Sequence, residues 1–235
     1  MLRPARFCFP VIFFSAIIFF SCSSNEIGNS KDVNPDAIYF EYKIWGEEKD
    51  SLVTVLLQYR MGGKNGTTLL PSSPAVVKLD GEALVVDSAR LTGAFYEKQF
   101  PIKQFAGKHQ ISFVNLKGKE HKEEFSFEPF ELVTKLDSQV KRGKMIFELS
   151  GLSDGDSIRV IAVDTAFESN DINDFFVVKN GRITIPEAQL KNLVNGPVSF
   201  EFFKEEEREL RNPSREGGKI LVTYELRRET VIIDD

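Results

Sequence analysis

The sequence predicts a mainly β protein with two β-sandwich-like modules, one short helix in the second, and an N-terminal export signal outside the fold. Three observations carry this. Short runs alternating apolar and polar residues recur along most of the chain. Turn pairs such as Asp80-Gly81 and Asn180-Gly181 separate those runs. Long patterns with helical spacing are scarce. The expected organisation is a signal peptide over 1–21, a lipidated cysteine and flexible tether over 22–36, one sandwich over 37–129, and a second β-rich domain over 130–235.

The first segment has a basic start, Arg3 and Arg6, then an apolar run from Phe7 to Phe20, then Ser21 and Cys22. The run is 14 residues long and contains Pro10 and Ser15. A membrane span needs about 20 apolar residues, so a cleaved leader is the better reading. The chain turns polar at once after Cys22, with Ser23, Ser24, Asn25 and Glu26. Residues 23–36 lack apolar periodicity and read as a tether.

Removing a leader that holds two arginines and no acid leaves 28 basic and 35 acidic side chains, a net charge of −7. That balance argues against nucleic acid as a partner. Cys8 leaves with the leader and Cys22 is the lipid site, so no cysteine remains for disulfides, thiol catalysis or thiolate metal ligation. Burial must hold the fold together.

From Ala37 the period is two. Ile38, Phe40, Tyr42 and Ile44 share one face. Gly46 to Ser51 turns the chain, and Val53, Val55, Leu57 and Tyr59 continue. Leu52, Leu56 and Leu57 make this second run apolar on both sides, as in a central strand. Met61 to Pro74 reads as a loop. Ala75–Leu79 and Glu82–Val86 flank Asp80-Gly81, whose residues supply the positive φ of a primed turn. His109, Ile111 and Phe113 are expected to pair with His121, Glu123, Phe125 and Phe127 across Lys117-Gly118-Lys119. Pro129 closes this unit. Roughly seven strands in about 90 residues argue for an immunoglobulin-like sandwich.

The second unit starts near Phe130. Met145, Phe147 and Leu149 alternate, then Ile158, Val160 and Ala162. Val177-Val178 and Ile183–Ile185 read as a compact hairpin across Asn180-Gly181. Pro186 to Val194 is the best helical stretch, with Pro186 at a first helical position and Asn195-Gly196-Pro197 as its stop. Val198, Phe200 and Phe202, then Ile220, Val222, Tyr224 and Leu226, resume strand.

Candidate chemistry is sparse. His109 and His121 sit on facing strands without triad or metal spacing and read as exposed strand residues. Asp154, Asp156, Asp171 and Asp174 lack the regular spacing of a calcium loop and read as turn residues. Gly62 to Thr68 lacks the order of a phosphate loop and reads as an inter-strand loop. Glu205 to Glu209, with Arg211 and Arg215, reads as a solvated strand end or loop. Trp45, with Tyr39, Tyr42, Tyr59 and Tyr96, is the one aromatic set suited to stacking on a sugar, and Trp45 is its candidate contact. No catalytic residue, metal ligand or cofactor is assigned.

The ending Phe19-Phe20-Ser21-Cys22 resembles the lipobox of bacterial lipoproteins. Phe19 and Phe20 stand where that pattern usually has Leu and a small residue, a departure that Bacteroidota lipoproteins often show. With Ala106-Gly107-Lys108-His109 and Glu123-Glu124-Phe125-Ser126-Phe127, the chain resembles an uncharacterised Bacteroidota-type outer-membrane lipoprotein with tandem immunoglobulin-like β modules. The resemblance implies attachment to the membrane through lipid on Cys22, with envelope proteins or polysaccharide as partners. It also implies O-glycosylation at Ser51, Ser88, Ser157 and Thr165, whose Asp-Ser/Thr-apolar contexts are similar to the acceptor sites of that lineage. The expected function is a non-enzymatic structural or interaction module. A glycan-binding accessory role is the alternative, and a hydrolase with a site between the modules stands behind it.

Overall fold

The computed structural model describes residues 27–166 and 171–234. The leader and Cys22 lie outside the described residues. Residues 27–36, expected as tether, are docked on the fold. Strand β1 (Gly28–Asn29) pairs in parallel with β4 (Thr67–Leu70). Two 3-10 turns follow, with the Asn29 and Asn34 side chains accepting from the amides of Lys31 and Asp36. Ser30 and Pro35 are buried. Short side-chain caps of this kind order a polar segment that apolar periodicity does not reveal.

The first sandwich is built from β2 (Ile38–Glu47), β3 (Leu52–Met61), β5 (Val76–Leu79), β6 (Glu82–Ala83), β7 (Val86–Ala89), β8 (Gly93–Pro101), β9 (Gly107–Val114) and β10 (Glu120–Phe127). One sheet runs β2-β3-β8-β7, and the other runs β10-β9-β5-β6. These are the A-B-E-D and G-F-C strand orders of an immunoglobulin sandwich, with β6 as C′. The inward alternation of β2 and β3 meets that of β9 and β10. The Phe113 ring lies 5.4 Å from Phe40 and 4.5 Å from Tyr59. Asp80 at φ 52° and Gly81 at φ 85° form the expected primed turn. A one-turn helix, α1 (Ile102–Phe105), joins β8 to β9. It has no side-chain cap and was not legible in the sequence.

The second sandwich contains β11 (Glu131–Leu132), β12 (Gln139–Lys141), β13 (Met145–Ser150), β14 (Ser157–Val163), β15 (Ile172–Val177), β16 (Arg182–Ile185), β17 (Gly196–Ser214) and β18 (Gly217–Ile233). Strands β11-β13-β16 form one layer, corresponding to A-B-E. The facing layer runs β15-β14-β17-β18, or C′-C-F-G, with β12 added in parallel to β18. Phe147 of the first layer packs 5.7 Å from Phe200 and 5.0 Å from Phe202 of the second. The Asn180-Gly181 turn has positive φ at both residues. It does not make the expected hairpin, because β15 pairs with β14 and β16 pairs with β13. A single bridge, Lys179 to Arg182, is all that closes it. Burial of Val178, Ile183 and Ile185 carries the chain from one layer to the other. The expected helix over 186–194 is one turn long, α2 (Glu187–Leu190).

The boundary at residue 130 does not separate two independent sheets. Strands β17 and β18 form an antiparallel ribbon of 19 and 17 residues. One end of the ribbon pairs with β14 inside the second sandwich. The other end reaches the first, where Gly218–Glu225 pairs in parallel with Phe40–Glu47. A single sheet therefore crosses both sandwiches. Gly218 makes the seam, since a Cβ there would sit 2.6 Å from the Phe40 carbonyl oxygen. Phe130 and Phe127 both pack edge-on against Tyr224, so the apolar core is continuous across the seam.

Candidate interaction groove

The inner face of β17 reads Phe200, Phe202, Lys204, Glu206, Arg208, Leu210. Phe200 and Phe202 are buried in the second sandwich, and Leu210 is buried against the first. The three charged residues occupy the interval between the two cores. They sit in register with Tyr224, Val222 and Ile220 of β18. Strand β10 forms the facing wall. A cavity of about 720 Å3 lies between them, with Phe125, Phe127, Val222 and Tyr224 among its apolar lining. Asp80, Lys108, Glu124, Glu128, Lys204, Glu206, Arg208 and Arg211 supply its charge, with His109 beside them.

Several of these charges have partners, among them the neighbouring Glu123. Glu123 is 3% exposed. Its two oxygens accept from Arg208 Nη1 at 2.6 Å and from the Arg211 amide at 2.7 Å. Arg208 Nη2 donates to the Glu124 carbonyl at 2.7 Å, and its Nε to Glu206 at 3.2 Å. Lys204 lies 3.4 Å from Glu128 and 3.7 Å from Asp156. A buried carboxylate is tolerated when opposite charge and N–H donors replace its water. Arg208 also covers part of the outer edge of β10 that the ribbon overhangs.

Neither histidine is an exposed strand residue. His109 stacks on Phe105 at 3.8 Å, and its ring nitrogens face the Asp80 carboxylate at 2.7 Å and the Phe105 carbonyl at 2.6 Å. His121 is 3% exposed and packs edge-on against Phe40. Its Nδ1 donates to the Asn212 carbonyl at 3.1 Å, and its Nε2 is buried without a partner. Burial lowers its pKa below the ordinary value, against the smaller upward pull of the Asn212 carbonyl. The two rings do not meet. His109 is in register with Phe125 and His121 with Phe113, four residues apart, or about 13 Å along the strand.

The expected aromatic platform divides. Tyr42, Tyr59 and Tyr96 are buried in the first sandwich, and the Tyr42 and Tyr59 hydroxyls are 3.4 Å apart. Burial pushes the Tyr96 phenol up to about 12. Trp45 faces outward at 36% exposure, above a shallow depression lined by Glu47, Asp50, Leu52, Thr54 and Gln99. Alternation on β2 explains the difference, because Tyr42 and Trp45 have opposite parity.

The charge run Glu205 to Glu209 is neither a strand end nor a loop. It lies in the middle of β17, opposite Leu221–Thr223 and their neighbours. Gly62 to Thr68 connects β3 to β4 and is tied back by Arg60 Nη1 to the Gly66 carbonyl. Asp156 caps its own turn by accepting from the Ser153 amide, and Asp174 accepts from Gln189 Nε2 at 2.8 Å. Among the described residues no group of three or more His, Cys, Asp or Glu is placed to hold a metal ion. No helix among them is long and apolar enough to cross a membrane. Ser51, Ser88, Ser157 and Thr165 are all exposed.

No protein-family model matches this chain, and no curated protein matches it. Among solved structures, a tetra-tandem repeat from the extending region of a large adhesion protein is 10% identical, with a TM-score of 0.26. The match covers 84% of this chain and 50% of that one. The I-band fragment I67–I69 of titin is 11% identical over 80% of this chain and 65% of its own, with a TM-score of 0.25. A Bacteroides ovatus protein, SGBP-B of a mixed-linkage glucan utilization locus, solved with a heptasaccharide, is 10% identical over 88% and 66%, with a TM-score of 0.22. Superpositions this loose carry no functional argument. The immunoglobulin-like assignment rests on the strand orders above.

Proposed function

We propose that this chain is a lipid-anchored, non-enzymatic interaction module of the bacterial outer membrane. One observation carries the non-enzymatic reading. In this groove several charged side chains engage one another, as with Glu123 and Arg208 at its wall and Lys204 and Glu128, and His109 is stacked on Phe105 with both ring nitrogens engaged. General acid–base work needs a group in reach of substrate with its proton free to move. The groove instead presents a rigid, charge-balanced surface with an apolar floor, which suits recognition. The fused sheet supports the same reading, because it holds both sandwiches in one orientation. Anchoring through Cys22 and outer-membrane placement rest on the leader and its cysteine. The exposed hydroxyls of Ser51, Ser88, Ser157 and Thr165 are the proposed glycan attachment points.

The test has two arms. Full-length protein should take up a palmitate analogue in cells and sediment with membranes, and Cys22→Ala should abolish both. Unchanged labelling of that variant would overturn the anchor. The mature protein should turn over no generic ester, peptide or glycoside substrate. Turnover that vanished on changing one groove carboxylate to its amide, with the fold intact, would overturn the non-enzymatic reading. A second reading, polysaccharide binding, is favoured by Trp45 alone. Binding without turnover that Trp45→Ala removes would establish it.

A further inference from the structure

The second sandwich ends in an open edge. Strand β15 is bonded to β14 on one side, and among the described residues no strand lies on its other side. Such an edge leaves alternate backbone N–H and C=O groups free to template another strand. Of the other edges, β7 is also open but only four residues long, with Asp87 and Ser88 exposed on it, and several more are blunted. Arg208 caps the edge of β10, β6 and β11 are two residues long, and β16 presents Arg182 and Thr184. By contrast β15 is six residues long, and Phe175 and Val177, on one face of it, are 61% and 52% exposed.

We propose that β15 pairs antiparallel with β15 of a second copy of this chain, forming a two-fold dimer through one continuous sheet. A two-fold axis normal to the sheet opposes residues of equal parity, and the pattern of β15 selects one register. With Phe175 on the axis, the two Phe175 rings face each other and Asn173 faces Val177. Aromatic cross-strand pairs of this kind stabilise a ladder. On the opposite face Asp174 falls across from Phe176 of the other copy. In the same register Lys179 falls opposite Asp171 of the other copy, so opposite charges face each other at both ends of the ladder. Lys179 makes no ion pair among the described residues. The register with Asp174 on the axis would oppose two carboxylates directly and is disfavoured. The surface is thus complementary to itself, as an isologous interface requires. This inference depends on neither the lipid anchor nor the groove.

Cysteine placement reads the register. Residues facing each other in an antiparallel pair have Cα atoms about 4.5–5.5 Å apart, inside the reach of a disulfide. Phe175→Cys in the full-length chain, oxidised in intact cells, should give a covalent homodimer. Asp174→Cys, also exposed but two positions out of register with its own copy, should stay monomeric. Sedimentation in detergent gives the second measurement: the unaltered chain should be dimeric and Phe175→Lys monomeric. Equal crosslinking of both cysteine variants, no crosslinking of either, a monomeric unaltered chain, or crosslinking of Phe175→Cys to a different protein would each overturn the proposal.

Discussion

Phe202→Ala should unfold the first sandwich at a lower temperature, although Phe202 belongs to the second. Phe202 is fully buried, in register with Leu226 and Val160, and 5.0 Å from the Phe147 ring. Emptying such a site costs about 3–5 kcal/mol. At about 2–4 °C per kcal/mol for a chain of this size, the midpoint should fall by roughly 6–20 °C. Independent sandwiches would confine that loss to the second. Here β18 passes from Leu226, opposite Phe202, directly into the segment bonded to β2, so the two should melt together. The only tryptophan in the sequence, Trp45, lies on β2 and reports the first sandwich alone. Fluorescence and far-UV circular dichroism should therefore give one coincident midpoint, shifted equally by the mutation. A Trp45 transition that stayed in place while circular dichroism split into two steps would refute the shared-sheet argument.

Three further outcomes are expected. Arg208→Met leaves Glu123 buried with only the Arg211 amide as donor; since Arg208 is 22% exposed in its side chain, the loss should be about 2–4 kcal/mol by chemical denaturation. Adding Glu123→Leu should recover much of it, and additive losses would argue against a coupled pair. His121 has a folded pKa below its ordinary 6.5, so below that pH the unfolded chain binds a proton that the folded one resists. Stability should be complete above about pH 6.5 and fall as pH drops toward the depressed folded value, and His121→Phe should flatten that slope in urea midpoints measured across the window. Melting of the mature protein should be the same with and without dithiothreitol, because residues 23–235 contain no cysteine; a drop on reduction would contradict the sequence-level argument.

Much of the fold could be read from alternation. The inward residues of β2 and β3, the facing pair β9 and β10, and the buried Phe147, Phe200 and Phe202 all lie where period two places them. The primed turn at Asp80-Gly81 was legible because its φ angles are a local requirement. The groove was not. Lys204, Glu206 and Arg208 interrupt an inward apolar series that resumes at Leu210, and that interruption is the signal that could have found it. Taken as a charge run alone, it looked like solvated loop.

The sequence by itself determined which residues face inward, where tight turns fall, and that residues 23–235 can form no disulfide among themselves, because these depend on side-chain chemistry and on neighbours a few residues away. Tertiary structure alone decided that β2 pairs with β18, that the Asn180-Gly181 turn links two layers, that Tyr42 is core while Trp45 is surface, and that Glu123 is buried beside Arg208. Each of these joins residues far apart in the chain. Strand partners are chosen by the whole set of apolar faces seeking cover at once, and a period-two pattern records only that a face needs a partner.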